Sequence, residues 1–546
     1  MQDPNRALRT TVYTLLIVAA CGTMIGRIWS VRSEMGGTPL LSANDRSRWA
    51  TVRSLVDHGT YELDEVIFKE PDLAWDNRDR EWYSIDLVRH RGHDGLEHYY
   101  SSKPPLLPTL LAGKYWLVRN VTGQTLADEP FYVVRLLLMT TNVLPLVLYF
   151  LLLASLVEKY GRTDWARLFV MAAATFGTYL TTFAVTLNNH LIAAVAVAIA
   201  LWAALPIWRR DEQPVWRFAA CGLAAAFAVT NELPALSFFG LLGMAMFWRS
   251  PARTLAGFVP AAAVVAAGFF GTNYIAHGTW KPPYAHRQDG PLLTTVSGLA
   301  PEQLDQAADP EQDEADRAAA TAAVRDTLQD PLAEIGIPLS GQAEMTHRLT
   351  DDGWVLWDPA THERLALVMD GSVLRVHQWG DWYEYERSYW LPGRKSGVDR
   401  GEPSRAVYAF HLLVGHHGIF SLTPLWLLSA VGAGYWLMRD EPRMRGFAAM
   451  VVFLTLLCLA FYILRPLEDR NYSGVSSGFR WMFWFTPMWL IAMLPAADAI
   501  AGRRWWRGVA IGLLLVSIIS ASYTPLNPWS HPWLYQYWIY LGWVQP

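Results

Sequence analysis

The chain has 546 residues, of which 52% are apolar and only 17% charged, with 27 Trp and a formal net charge of −4. Soluble chains carry about 25% charged residues, so this composition excludes a wholly soluble protein and points to a polytopic membrane protein with one sizeable soluble insert. The small net charge leaves no electrostatic footprint for a nucleic-acid partner.

A membrane span needs about 20 mostly apolar residues. Eleven stretches qualify, some of them short: 10–31, 131–157, 166–186, 189–207, 214–230, 233–248, 254–276, 418–438, 446–464, 481–501 and 508–524. The first is followed by Ile28-Trp29-Ser30-Val31-Arg32, a poor cleavage site, and reads as a retained span. Cys21, Cys221 and Cys458 all fall inside apolar runs, which argues against a disulfide framework.

Orientation follows from the basic residues in the short turns. One set of alternate turns carries Arg6 and Arg9, then Lys159, Arg162 and Arg167, then Arg209, Arg210 and Arg217. Arg249 and Arg253, Arg439, Arg443 and Arg445, and Arg503, Arg504 and Arg507 continue the series, while the turns near Asn188 and Asn231 carry no Lys or Arg. The expected N-terminus is therefore cytoplasmic. The first loop (32–129), the insert (277–417), the loop 465–480 and the C-terminus are expected on the outer or periplasmic side of a cytoplasmic (inner) membrane. Three parts are expected: an N-terminal transmembrane module over 1–276, the insert over 277–417, and a C-terminal transmembrane module over 418–546.

The first loop opens with Leu41-Ser42-Ala43-Asn44-Asp45-Arg46-Ser47-Arg48-Trp49. Trp49, Val52, Leu55 and Val56 recur at helical spacing and predict an interfacial helix capped by Ser42 or Asn44. The loop closes on Tyr99-Tyr100-Ser101-Ser102-Lys103-Pro104-Pro105-Leu106. The two prolines suit a helix start, and the run 105–118 is too short to cross and reads as a second interfacial helix. In the insert, 300–335 is rich in Ala, Asp, Glu and Gln and predicts soluble helices. Gly353–Trp357, Leu365–Met369 and Val373–Trp379 alternate like strands, with Asp370-Gly371 as a hairpin turn. The fold class is thus an all-α polytopic membrane protein of about 11 transmembrane helices, with interfacial helices in the first outer loop and a small α+β insert.

Three residues stand out chemically. Asp45, just past the first span and flanked by Arg46 and Arg48, could accept a proton from a hydroxyl; a solvated loop aspartate or a helix cap is the plain alternative. Lys103 precedes a rigid helix start, where free N–H groups favour an anion; a snorkelling lysine is the alternative. Arg480 opposes the charge bias on the outer side and offers fork-shaped recognition of phosphate or carboxylate; an ion pair with Glu468 or Asp469 is the alternative, and Arg465 and Arg470 are nearby candidates. His190, Glu232, His286, His416 and His417 are further polar positions at outer turns, each more readily read as a satisfied structural residue.

Asp45 followed by Lys103-Pro104-Pro105-Leu106 resembles the GT-C superfamily of integral-membrane glycosyltransferases, in the branch of the aminoarabinose lipid A transferases and protein O-mannosyltransferases. The segment Leu107–Trp116, Arg135 and the turn Thr186–His190 also look family-like, although many relatives carry an Asp where this turn has Asn188, Asn189 and His190. Arg46 departs as well, since many relatives have Asp-Glu rather than Asp-Arg. The resemblance implies an inverting transferase that moves a sugar from a polyprenyl-phosphate donor to a hydroxyl or amine of a lipid, glycan or protein acceptor. Lys103 and Arg480 would hold the phosphate, Asp45 would be the base, and Arg46, Arg48, His190 and His416 would be candidate substrate contacts. Neither a cofactor nor a catalytic metal is expected. A flippase or transporter of lipid-linked sugars, or a non-catalytic envelope assembly protein, is the alternative reading.

Overall fold

The computed structural model describes residues 5–69, 75–210, 214–350, 353–439 and 442–544; the side chain of Arg210 lies outside the described part. The chain forms two compact units, Met1–Val56 with Leu106–Thr272 and Ser396–Pro546, and Asp57–Pro105 with Asn273–Lys395.

The first unit is helical and makes this a multi-pass membrane protein. Among the described residues, seven helices are long and apolar enough to cross a membrane: Arg6–Ser30, Pro130–Tyr160, Asn189–Arg209, Pro251–His277, Arg443–Ile463, Arg480–Ile500 and Arg504–Ser522. Val215–Asn231, Leu233–Arg249 and Trp426–Met438 are shorter apolar helices. The basic turns meet at one end of the unit: the Arg162 N–H donates to Asp498, Arg209 lies over the Tyr160 ring, Arg507 over the Trp165 ring, Arg249 donates to the Ile207 carbonyl and Trp208 to that of Arg443. At that end Arg9 is buried and pairs with Glu158 at 2.8 Å and Asp164 at 2.6 Å, which ties the first helix to the turn between Tyr160 and Asp164.

The expected span 166–186 is corrected. It is helical only over Asp164–Phe176, and the chain from Gly177 to Asn188 is irregular apart from a 3-10 turn at Phe183–Val185. A side chain at Gly177 would press on Leu425 and Leu514 at 2.9 Å, and the following threonines are β-branched and favour helix poorly. Irregular backbone among membrane helices needs internal partners. Asn142 donates to the carbonyls of Ala184 and Thr186, both at 2.9 Å, and Asn188 donates to those of Phe183 and Thr186. Asn142 is carried by a π-turn, Met139–Val143, a widened turn within the second long span.

The helix Ala43–Asp57 differs from the expected surface helix. Trp49, Ala50 and Val52 are buried, but so are Asp45 and Arg48, so more than one of its faces is covered by protein. The second interfacial helix, Leu106–Thr122, keeps Leu110, Trp116, Leu117 and Val121 exposed, as a membrane-surface helix requires.

The second unit is α+β. Strands β1 (Leu87–Arg91) and β2 (Glu97–Ser101) form an antiparallel pair. Strands β3 (Leu292–Ser297), β4 (Glu344–His347), β5 (Trp354–Asp358), β6 (Glu363–Asp370) and β7 (Val373–Gln378) form an antiparallel sheet in the order β3-β7-β6-β5-β4. Helices Pro301–Ala308 and Glu314–Ala333 pack Leu304, Val324, Leu328 and Leu332 on its inner face. The β6–β7 turn lies where Asp370-Gly371 predicts it, with Gly371 at φ 63°. The unit boundaries depart from the expected 277–417 insert on both sides. Residues 57–105 belong with it because Val88 and Tyr100 pack on Trp382 and Tyr383, and the Arg89 N–H donates to the Trp382 carbonyl at 2.9 Å. Residues 396–417 belong to the helical unit, where the Glu402 N–H donates to the Arg470 carbonyl at 2.9 Å and Asn471 donates to Asp399.

Candidate functional site

The site lies at the end of the helical unit opposite the basic turns, where five chain segments meet. Ser42 and Asp45 open the Ala43–Asp57 helix as a capping pair, each side chain accepting from the other's backbone N–H. The Asp45 carboxylate also accepts from Ser42 Oγ at 2.9 Å, from the Leu41 N–H at 3.1 Å and from Thr186 Oγ1 at 2.9 Å. Asp45 is 1% exposed, so all of its donors are protein groups. The helix-cap alternative is therefore real: Asp45 sets both the helix start and the position of the irregular 177–188 segment.

One turn along the helix, Arg48 donates to the Asn44 carbonyl at 2.7 Å and to Asn189 Oδ1 at 2.6 Å. The Asn189 amide reaches across to the Asn231 carbonyl at 2.6 Å and to Glu232 Oε1 at 2.8 Å. His190 Nδ1 bonds the same Glu232 oxygen, and its Nε2 faces Arg480 Nη1 at 3.2 Å. A guanidinium only donates, so His190 Nε2 is the acceptor and its proton resides on Nδ1, toward Glu232.

Arg480 is held twice more, by the Ser473 carbonyl at 2.7 Å and by the face of Trp529 at 4.6 Å. Trp529 Nε1 donates to Thr186 Oγ1 at 3.1 Å, which itself donates to Asp45. The contacts thus run from Arg48 through Asn189, Glu232, His190, Arg480, Trp529 and Thr186 to Asp45, and the two ends of this circuit lie on one helix. Burial pushes the Glu232 carboxyl up to about 8, against the opposing pull of Arg480 and Arg48. With Glu232 held neutral near neutral pH, the guanidiniums of Arg48 and Arg480 lose one opposing charge, which suits the circuit to an anion.

Of the residues singled out in the sequence, Asp45, Arg48, His190, Glu232 and Arg480 come together here. Arg46 is half-buried on the same helix. The expected alternative for Arg480 is taken by another arginine, since Asp469 pairs with Arg465 at 2.8 Å. Lys103 belongs to the second unit, where its ammonium meets Asp86 at 2.9 Å, an ion pair rather than a snorkelling cation. His286 also lies there, stacked on Trp382 at 3.5 Å. His416 lies in a separate histidine cluster of the helical unit. Sequence reasoning missed Trp529 and Ser473, and it read Asn44 only as a helix cap, not as a partner of Arg48. Trp529 sits in a polar, proline-containing tail (Pro525-Leu526-Asn527-Pro528), and no local pattern marks a tryptophan there as a platform for arginine.

No protein-family model and no curated protein matches the chain. Solved structures similar to it include the following two. The archaeal oligosaccharyltransferase AglB from Archaeoglobus fulgidus, in complex with an inhibitory peptide and a dolichol-phosphate, aligns with 94% of this chain at 11% identity and a TM-score of 0.40. The chain spans 55% of that protein's length. The S. cerevisiae protein O-mannosyltransferase Pmt1-Pmt2 complex, bound to the sugar donor, aligns with 100% of this chain and 93% of its own at 11% identity and a TM-score of 0.44. Both are GT-C glycosyltransferases.

Proposed function

We propose that this chain is an inverting glycosyltransferase that moves a sugar from a polyprenyl-phosphate donor to an acceptor hydroxyl or amine at the outer face of the cytoplasmic membrane. The carrying observation is the buried chain of contacts that runs from Arg48 through Arg480 to Asp45, at the end of the helix bundle away from the basic turns. Arg480 presents a guanidinium fixed by three partners, so little side-chain entropy remains to be lost when it binds phosphate. Lys103, in the second unit, would bind a phosphate by exchanging Asp86 for it.

In the reaction the acceptor oxygen or nitrogen attacks the anomeric carbon, the bond from that carbon to the phosphate oxygen breaks, and the phosphate leaves with the electron pair. Arg480 stabilises the growing charge on it. Asp45 takes the proton of the acceptor. Its oxygens are fully engaged at rest, but two of the donors, Ser42 Oγ and Thr186 Oγ1, are hydroxyl rotors that free a lone pair by turning. Attack opposite the leaving group inverts the anomeric centre. Native mass spectrometry of polyprenyl phosphate on the wild type, Arg480→Ala and Lys103→Ala tests the donor site. Specific binding weakened in both variants is expected; a wild type that binds none would turn the reading toward transport or assembly.

A further inference from the structure

His411, His416, His417 and His531 take no part in the steps above. They are packed together in the helical unit: His411 stacks on His416 at 3.9 Å, His417 on Tyr472 at 4.9 Å and His531 on Tyr535 at 4.3 Å. A cavity of about 220 Å³ opens beside them, walled by the rings of His416, Tyr472 and Tyr535 and by Arg400 and Glu402. Three imidazole nitrogens of the cluster, His411 Nδ1, His417 Nε2 and His531 Nδ1, are buried without a hydrogen-bond partner. Buried polar atoms are nearly always paired, so several orphans in one cluster call for an explanation.

The chemistry of the wall narrows the occupant. Burial pushes His416 down to about 3, and it lowers His411, His417 and His531 as well, so all four rings are neutral near pH 7 and each offers a donor and an acceptor. Of the four rings only His416 reaches the wall, and an apolar chain would leave it, Arg400 and Glu402 unused. Among the described residues, no three or more His, Cys, Asp or Glu converge as a metal site requires. A simple anion would meet Glu402 and a simple cation Arg400. A neutral, hydroxyl-rich sugar ring suits this wall: its hydroxyls both donate and accept, and its C–H face suits the negative face of the Tyr472 and Tyr535 rings.

The cavity is also tied to the charged circuit. Tyr472 and Ser473 hold φ of 55° and 72°, a left-handed conformation that costs a bulky residue energy, and Gly474 follows at 75°. This strained turn places the Tyr472 ring on the cavity wall while the Ser473 carbonyl holds Arg480. The Tyr472 hydroxyl in turn donates to Glu402 at 3.4 Å.

We propose that the cavity walled by His416, Tyr472, Tyr535 and Glu402 is a saccharide-binding site that seats a glycan acceptor beside the Arg480 centre. The acceptor role rests on the glycosyltransferase reading; the binding of sugar does not. The test is saturation-transfer NMR on the full chain in nanodiscs, with methyl α-D-mannopyranoside, methyl β-D-galactopyranoside and maltotriose as probes, and native mass spectrometry of polyprenyl phosphate in parallel. The wild type should transfer saturation to at least one probe, and Glu402→Gln and Tyr535→Ala should weaken that binding about tenfold while polyprenyl phosphate still binds. Glu402→Gln is nearly isosteric at a half-buried position and keeps the test valid if Tyr535→Ala does not fold. No transfer from the wild type to any probe, or wild-type transfer in Glu402→Gln, overturns the site. Sugar binding without polyprenyl-phosphate binding would sustain the site and sink the transferase reading instead.

Discussion

Arg480 and Glu232 govern the site at the scale of single residues, because they set its charge. Arg480→Ala removes a guanidinium already fixed by Ser473, His190 and Trp529. Loss of one charge-assisted hydrogen bond is worth about 1.5–3 kcal/mol, so polyprenyl-phosphate affinity should fall roughly 10- to 100-fold. Asp45→Asn should leave that affinity in place and cut turnover by about 10²–10⁴, the span of general base catalysis. Unchanged turnover would make Asp45 a helix cap alone. Glu232 adds a pH dependence whose sign follows from its raised pKa. Below about pH 8 its carboxyl is neutral; above it, Glu232 ionises and adds a negative charge beside Arg48 and Arg480. Donor binding should therefore weaken as pH rises through about 8, and Glu232→Gln, neutral throughout, should flatten that limb. A wild-type binding profile that stays level from pH 7 to 9 would contradict the assignment.

Among the structural elements, the irregular chain from Gly177 to Asn188 matters most, and it shows what the sequence reveals and what it hides. Its helix-breaking Gly177 and its threonines are visible in the sequence, yet an apolar window runs straight over them because Phe183, Ala184 and Val185 are as apolar as any helix. The partners that permit the irregularity come from far away in the chain, Asn142 in particular, and long-range pairing has no local signature. For the same reason, Asp45, Arg48, His190, Glu232 and Arg480 could each be picked out by type and by position after an apolar run, while their closure into one circuit could not. Local periodicity did suffice for β5, β6 and β7, where a two-residue pattern and a Gly turn specify the hairpin; it missed β3 and β4, whose mixed exposure breaks the alternation. Asn142→Leu tests the role of the irregular segment. It removes the donor to the Ala184 carbonyl and one of two donors to Thr186, at about 1–3 kcal/mol per buried orphan. The thermal midpoint should fall. Because Thr186 holds Asp45, turnover of the folded fraction should drop with it. A stable, fully active Asn142→Leu would show that the segment keeps its shape without this support.

The helical unit is polarised along its helix axes, and that polarity bears on where the reaction can occur. Arg6, Arg249, Arg253, Arg439, Arg443, Arg503, Arg504 and Arg507 crowd one end of the helical unit, and the Asp45–Arg480 circuit occupies the other. Short basic turns are retained on the cytoplasmic side during insertion, and on that ground we propose that the circuit faces the outer side. There, lipid-linked sugars would be the available activated donors, since a soluble nucleotide donor would be confined to the opposite compartment. Two single-cysteine variants test this on intact cells, with Cys21, Cys221 and Cys458 replaced by Ala. Gly502→Cys lies at the basic end, where an added side chain meets open space, and Leu526→Cys lies exposed beyond the last long span, on the side of the circuit. A membrane-impermeant maleimide should label the cysteine at 526 in intact cells and the one at 502 only after lysis. The reverse pattern would place Asp45 and Arg480 in the cytoplasm, and a donor borne on the outer leaflet could not reach them.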